Sequence, residues 1–452
     1  MESESVKQIS ECFIKACDFP ENWKPTIQLT PSDLGLMSIH YIQKGLLFKK
    51  PPGLLSNAQE CSAFLDRLKQ ALSVTLFHFY PLAARLATHK TQHPHSYVVY
   101  IDCINSPGAK FVHSRVNLSV SDILSPTCVP RVVEHFFDHY KAVNHDGHTL
   151  SLLTLQVTEL TDGLFIGFSQ NHCVADGTSF WQFVNALSQV FQDEKLAALN
   201  PPYLERWFPD GCGPLCSLPF THHDQFISRS YEAPELIGRI FHFSAPALAR
   251  IKSKANACCK DRGVNVSTLQ ALSALVWRCV IRVRGLQKDD MSSCNTSVNM
   301  RSRLQPPLPP NYYGNCIQTV GAVTTAGELL ENDLGWAAAQ LSQAIANHDN
   351  KAAREKLMEW VKNPSIYQIG KLVNPGLVMF GSSPRFNMYG NEFGMGKALA
   401  VLSGHDNKFD GKGTLYEGHQ GGGSIDVDLC LTPHSMMALE RDEEFSDALH
   451  YF

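Results

Sequence analysis

The sequence is poor in charge, and no sign dominates. Only 18% of its 452 residues are Asp, Glu, Lys or Arg, and 39 basic against 43 acidic side chains leave a formal charge of -4. That balance gives no basic footprint for nucleic acid or an anionic membrane. No apolar run is long enough to span a bilayer. The N-terminal MESESVKQISECF is polar and acidic, which fits neither a signal peptide nor an Arg-rich transit peptide. The 14 cysteines lack paired metal-ligand spacing: Cys258 and Cys259 are adjacent, and Cys212 and Cys216 flank a Gly-Pro turn without a second pair. They read as reduced, mostly buried thiols of a cytoplasmic protein with no metal and no bound cofactor. Helical repeats, low-complexity tracts and coiled-coil heptads are missing as well. Gly421-Gly422-Gly423 lacks the Lys-Ser/Thr ending of a phosphate loop and precedes a strand, so it reads as a tight turn.

What is present is apolar and alternating. Hydrophobic residues make up 44% of a chain too long for one ordinary core, so two domains are expected. Ala58 to Leu76 is an amphipathic helix stopped by Pro81, and 96–102, 152–159 and 163–170 read as strands. Strands alternating with helices indicate a layered α/β class with mixed sheets. Residues 1–195 read as an N-terminal domain. Residues 196–225, loaded with Pro and Gly, read as a crossover, and 226–452 as a C-terminal domain. In the latter, 239–243, 297–303 and 424–431 read as strands. Ser267 caps a helix running through Trp277, and 334–346 and 352–361 are further helices.

One stretch carries chemistry, Asn171-His172-Cys173-Val174-Ala175-Asp176-Gly177. The apolar strand 163–170 leads into it and a helix starts near Thr178, so His172 stands at a strand end in a tight connection. An imidazole titrates near neutrality and suits proton abstraction from a hydroxyl or amine. Asp176 either orients the ring or holds the loop, and Gly177 lets the chain turn. Cys173 diverges from His172 as an adjacent strand-end residue, which argues against a Cys-His pair.

His172 to Trp181 resembles a signature of the plant BAHD acyl-CoA-dependent acyltransferases. So do Tyr80 to Leu86 (YPLAARL), Ser267 to Arg278, and Arg301 to Asn315 (RSRLQPPLPPNYYGN). Glu392-Phe393-Gly394-Met395-Gly396-Lys397 corresponds to the family's D-F-G-W-G-K. The resemblance implies two domains like chloramphenicol acetyltransferase, with a channel between them and the catalytic His172 midway. It implies acyl-CoA as co-substrate, a small-molecule acceptor, and a monomer that binds no nucleic acid or membrane. It further implies a structural Asp176 bonded to Arg301. Ser382 aligns with a family hydroxyl facing the channel, which makes it either a hydrogen-bond donor to the oxyanion or acceptor, or a plain loop residue before Pro384. Lys252, Lys254 and Lys260, with the helix start at Ser267-Thr268, are candidates for the coenzyme phosphates or else a solvated face.

The departures fall on one motif: Glu392 replaces Asp, Met395 replaces Trp and Ala398 replaces Pro. Glu392 keeps a carboxylate able to pair with a neighbouring cation, and Met395 either reshapes the donor channel or repacks a core. Ser38, His40, Tyr41, Met300, Tyr313, Met379 and Met388 are candidate channel positions of mixed character. The expected function is acyl transfer to an alcohol or amine of plant specialised metabolism. It would proceed by direct attack in a ternary complex, without an acyl-enzyme. A lyase or hydrolase of the same fold would turn over without acyl-CoA, and a non-catalytic binder would not need His172.

Overall fold

In the computed structural model, residues 5–53, 58–93, 95–193, 200–229, 231–259, 263–405 and 408–449 are described, and they form two six-stranded sheets and one three-stranded sheet. The first sheet has the order β1 (Lys7–Ile14), β6 (Ala109–Arg115), β7 (Leu153–Glu159), β8 (Gly163–Gln170), β3 (Ile42–Lys49), β13 (Ala400–Ser403). The second has the order β11 (Ile317–Thr325), β10 (Met291–Asn299), β12 (Leu377–Gly381), β14 (Lys412–Glu417), β15 (Ile425–Leu431), β9 (Ile237–Phe243). The small sheet is β2 (Thr26–Gln28), β5 (His95–Asp102), β4 (Arg85–Gln92). Both large sheets mix parallel pairs, such as β6 with β7 and β10 with β12, with antiparallel ones. This is the layered α/β class read from the sequence.

Every residue of β7 and β8 is buried, which explains why GLFIGFSQ is apolar on both faces. Leu164, Ile166 and Phe168 join the core beneath helices Ala58–His78 and Gly177–Asp193. Phe165 faces the other way, with its ring 5.2 Å from Phe136 and 5.3 Å from Phe137. Helix Gly177–Asp193 buries Phe180, Phe183, Val184, Leu187 and Phe191, the stripe that its sequence spacing predicts. In the second half, Ser267 caps helix Thr268–Arg284 by accepting from the Gln270 N–H, and Trp277 is buried with its indole donating to Ser292 Oγ at 2.7 Å.

Some expected elements shift. β3 begins only at Ile42, because the Ile39 N–H bonds Leu36 in a turn. The strand expected over 297–303 is β10, which ends at Asn299; Asn299 Oδ1 accepts the Arg301 N–H and turns the chain. Residues 200–222 carry no helix or named strand, in keeping with a crossover. β13 is drawn from the stretch 226–452 yet pairs with β3, Leu402 opposite Gly45, so the first sheet contains a strand of the second half. The pairing covers a β3 edge that is buried along nearly its whole length. Among the described residues no helix is long and apolar enough to cross a membrane.

The close packing of β3 on β8 is testable. A methyl group on Gly45 would overlap the Phe165 ring and lie 2.8 Å from the Ile166 carbonyl oxygen. Gly45→Ala should lower stability by about 1–3 kcal/mol. Gly213→Ala, with nothing within 4 Å of the new carbon, should stay within about 0.5 kcal/mol. Equal melting temperatures for the two variants would contradict this packing.

Candidate active site

β8 delivers the chain to Asn171, and the helix begins at Gly177. Between them the loop is buried except at His172; Gly177 and Thr178, at the helix start, are also partly open. Asp176 caps that helix, its Oδ1 accepting the Ser179 N–H at 3.1 Å. Gly177 has an ordinary backbone angle, and a Cβ there would make only normal contact with Phe386 at 3.4 Å. The turn-making role read for Gly177 is therefore not what its backbone shows; the bare position leaves the wall open.

Asp176 and Arg301 meet as expected. Arg301 Nη1 lies 2.8 Å from Asp176 Oδ2 and Nη2 lies 3.0 Å from Oδ1, with Asp176 fully buried. The Cys316 N–H also donates to Oδ2, at 2.9 Å. Arg301 further donates to the Tyr312 and Gly314 carbonyls and to Ser179 Oγ. Burial works against the charge on Asp176. The Arg301 guanidinium and the Cys316 and Ser179 N–H groups more than offset it, so the carboxyl is held below its ordinary range.

A second set of side chains grips the loop from distant segments. Asn144 Oδ1 accepts the His172 N–H at 2.7 Å, while its Nδ2 donates to the Leu36 carbonyl at 2.8 Å. Asn315 Nδ2 donates to the His172 carbonyl at 2.7 Å and to Asp33 Oδ1 at 2.8 Å. Arg206, in the stretch 200–222 without helix or named strand, donates to the Val174 and Tyr313 carbonyls at 2.8 Å each. Sequence reasoning passed over Asn144, Asp33 and Arg206. It touched Asn315 only as the end of RSRLQPPLPPNYYGN, the one signal available.

His172 lines a cavity of about 340 Å³ whose walls come from both large sheets: Lys44 from β3, and Asn295, Met379 and Lys412 from β10, β12 and β14. Ser382 lines it too, with φ of 66, a left-handed conformation unusual for a residue with a side chain. Cys173 is fully buried with its sulfur 3.4 Å from that of Met37, and burial pushes its thiol well above the ordinary range.

Other expected positions fall elsewhere. Met379 lines the His172 cavity, but Ser38 and His40 line a second one, and Tyr41, Met300, Tyr313 and Met388 are core residues. Lys252 and Lys254 are exposed on helix Ala245–Cys259, and with Ser267 and Thr268 they lie outside the His172 cavity. Lys260 lies outside the described residues. Glu392 is exposed and forms no ion pair among the described residues, a correction to the pairing expected of it. Phe393 (φ 45), Gly394 (φ 72) and Gly396 (φ 79) make a left-handed coil. Its ring is fully buried against Phe48, Phe168 and Phe191. Met395 packs at the edge of that core and does not line the cavity.

With this geometry in view, comparison with known proteins gives a consistent result. Vinorine synthase superposes with a TM-score of 0.73 at 22% identity, covering 98% of both chains. TRI101 of F. sporotrichioides, complexed with coenzyme A and T-2, gives 0.73 at 18% identity, covering 93% of this chain and 98% of its own. By fold the protein is a two-domain α/β structure of the kind these two share. The family described as Transferase family matches residues 5–446. An uncharacterized acetyltransferase of Arabidopsis thaliana is 35% identical over 444 residues, 97% of this chain and 98% of its own. The BAHD acyltransferase DCR of the same plant is 32% identical over 452 residues, 97% of this chain and 92% of its own. The chain belongs to this transferase family, the BAHD acyltransferases.

Two outcomes follow from the geometry. Asp176→Asn should cost about 3–5 kcal/mol, because it strands a buried guanidinium. Activity and melting temperature should fall together; a fully stable, inactive variant would contradict it. The folded carboxyl is depressed, so its contribution is present above the unfolded value of about 4 and fades as pH falls below it. The variant should therefore lose less further stability than wild type on acidification. Met395→Trp should cost about 1–3 kcal/mol by overpacking and leave acyl-donor ratios unchanged. A changed donor profile at wild-type stability would place Met395 on the cavity after all.

Proposed function

We propose that the protein transfers an acyl group from an acyl-CoA thioester to a hydroxyl or amine of a small plant specialised metabolite, with His172 as general base. The observation that carries this reading is the placement of His172, the one partly open residue of a buried loop, on a cavity walled by both sheets. There the imidazole removes the acceptor proton as the acceptor oxygen or nitrogen attacks the thioester carbonyl. The tetrahedral intermediate collapses, and the coenzyme A sulfur leaves with the proton returned from the imidazolium. Ser382 is read as the donor to the oxyanion. Its left-handed backbone, a conformation that costs about 1–3 kcal/mol, supports a position held for a purpose.

Asp176 and Arg301 act in this reading by holding the loop, since both Asp176 oxygens are already bonded, and Gly177 by leaving the cavity wall open. Direct attack without an acyl-enzyme fits the buried, high-pKa Cys173. Lys252 and Lys254 with Ser267 and Thr268 are read as the phosphate end of the coenzyme site. Asn256 bonds Val266 and so ties that helix to the Ser267 helix start. The coenzyme A complex of TRI101 supports the same donor. The protein is read as a cytoplasmic monomer; all 14 cysteines are free thiols, which suits a reducing compartment.

The test is coenzyme A release on an acyl-CoA panel with pooled plant alcohols and amines, read by mass spectrometry. His172→Ala should lower turnover by about two to four orders of magnitude at unchanged melting temperature; more than about a tenth of wild-type activity would remove His172 from the mechanism. Turnover without acyl-CoA would mark a lyase or hydrolase instead. Glu392 and Met395, the changes that motivate that alternative, both lie off the cavity.

A further inference from the structure

A second cavity of about 880 Å³ lies beside the first. Ser38 and His40 line it while Ile39, between them, lines the His172 cavity, and Ile369 borders both. The smaller space mixes Ile, Leu, Met and Phe side chains with polar ones and two lysines, Lys44 and Lys412, whereas the larger carries Arg131, Glu134, Lys141, Arg229 and Lys408. Those charges are matched within the wall except for Arg229, whose partner Asp146 lies outside the lining and brings cations and acids to four each. Glu134 takes Lys408 and His405 at 3.5 Å each, Arg131 pairs with Glu235, and Arg229 pairs with Asp146. Lys141 and Glu232 add one charge of each sign. An anionic ligand finds no excess of positive charge here.

Aromatic rings run along the same wall. Ring centroids are 5.2 Å apart for His40 and His405 and 5.1 Å for His405 and Tyr140; Tyr140 is also 5.2 Å from His135, which lies outside this lining. Tyr140 is 43% exposed at the tip of a turn closed by the Ala142 N–H donating to the His139 carbonyl at 3.0 Å. Its neighbours His139 (φ 62) and Lys141 (φ 59) are both left-handed. Such strain persists only where surrounding contacts over-determine it. His139 supplies them: its ring lies 3.0 Å from Thr154 Oγ1, 3.3 Å from Asp138 Oδ2, and edge-on to Tyr41 at 5.4 Å. The strained turn presents a tyrosine ring to the cavity and buries little of it.

We propose that this second cavity receives the acceptor and selects a bulky, uncharged one bearing an aromatic ring, with Tyr140 and His405 as its stacking surface. The proposal rests on the acyl-transfer reading of His172. Offset or edge-on ring contacts add to simple burial, and a space of this size suits a ring carrying a sugar or several hydroxyls.

Calorimetric titration of the intact protein with 2-naphthyl β-glucoside, cyclohexyl β-glucoside and 2-naphthoate tests it. The naphthyl glucoside should bind about fivefold more tightly than either other probe, an increment typical of ring stacking. Tyr140→Ala should abolish that preference and Tyr140→Phe should keep it; Tyr140 is exposed enough for both variants to fold. Equal affinities, tighter binding of the carboxylate, an unaffected Tyr140→Ala, or no binding of the naphthyl glucoside at millimolar concentration would each overturn the proposal. Binding needs no turnover, so a protein that shows the preference yet never releases coenzyme A refutes the acyl-transfer reading alone. One that acylates saturated and aromatic alcohols equally well refutes the aromatic selection alone.

Discussion

The structure depends on keeping one imidazole accessible in a loop that is otherwise shut away from water, and the Asp176–Arg301 pair does this. A loop between a central strand and a helix exposes backbone N–H groups that burial would leave unsatisfied. Asp176 supplies an acceptor to one of them, at Ser179, and another to the Cys316 N–H just before β11, while its charge is held by Arg301. Since Arg301 follows β10 of the second sheet and Asp176 follows β8 of the first, one ion pair fixes the loop and joins the halves. A buried pair gains little net stability over an apolar replacement of the same shape. What this one specifies is position, because only one docking of the two halves closes it.

The same logic extends to Asp33, Asn144, Arg206 and Asn315. Each bonds backbone of a different segment, and together they hold the His172 peptide on both sides, N–H by Asn144 and carbonyl by Asn315. Buried polar networks of this kind tolerate single losses poorly, because the low local dielectric makes each unpaired polar group costly. The imidazole is thereby aimed by main-chain constraints, so Asp176 need not touch the ring.

Much of the fold is legible in the sequence because its periodicities are strong. Gly163–Gln170, helix Gly177–Asp193 and the Ser267 cap fall where spacing and cap chemistry place them. β13 was beyond reach, since Ala400–Ser403 is four residues whose partner, Lys44–Leu47, lies in the opposite half of the chain. At the site, His172, Asp176 and Arg301 are readable from motifs, whereas Asn144 and Arg206 sit in stretches without pattern. Their function arises from long-range backbone contacts, which local composition does not encode. The cavity positions suffered likewise: Ser38 and His40 flank Ile39 in sequence but face a different space.

The divergent C-terminal motif shows which of its positions are constrained. Phe393 enters a pocket of three rings, and left-handed backbone angles at Phe393, Gly394 and Gly396 let it get there, so the aromatic ring and the glycines are bound to the geometry. Glu392 faces solvent, and Met395 only borders the core, where a flexible thioether accommodates an uneven surface. Replacing Asp and Trp at those two places alters packing far from the reacting centre. Neither Glu392 nor Met395 faces either cavity, and the motif that looks most unusual in the sequence is a structural plug.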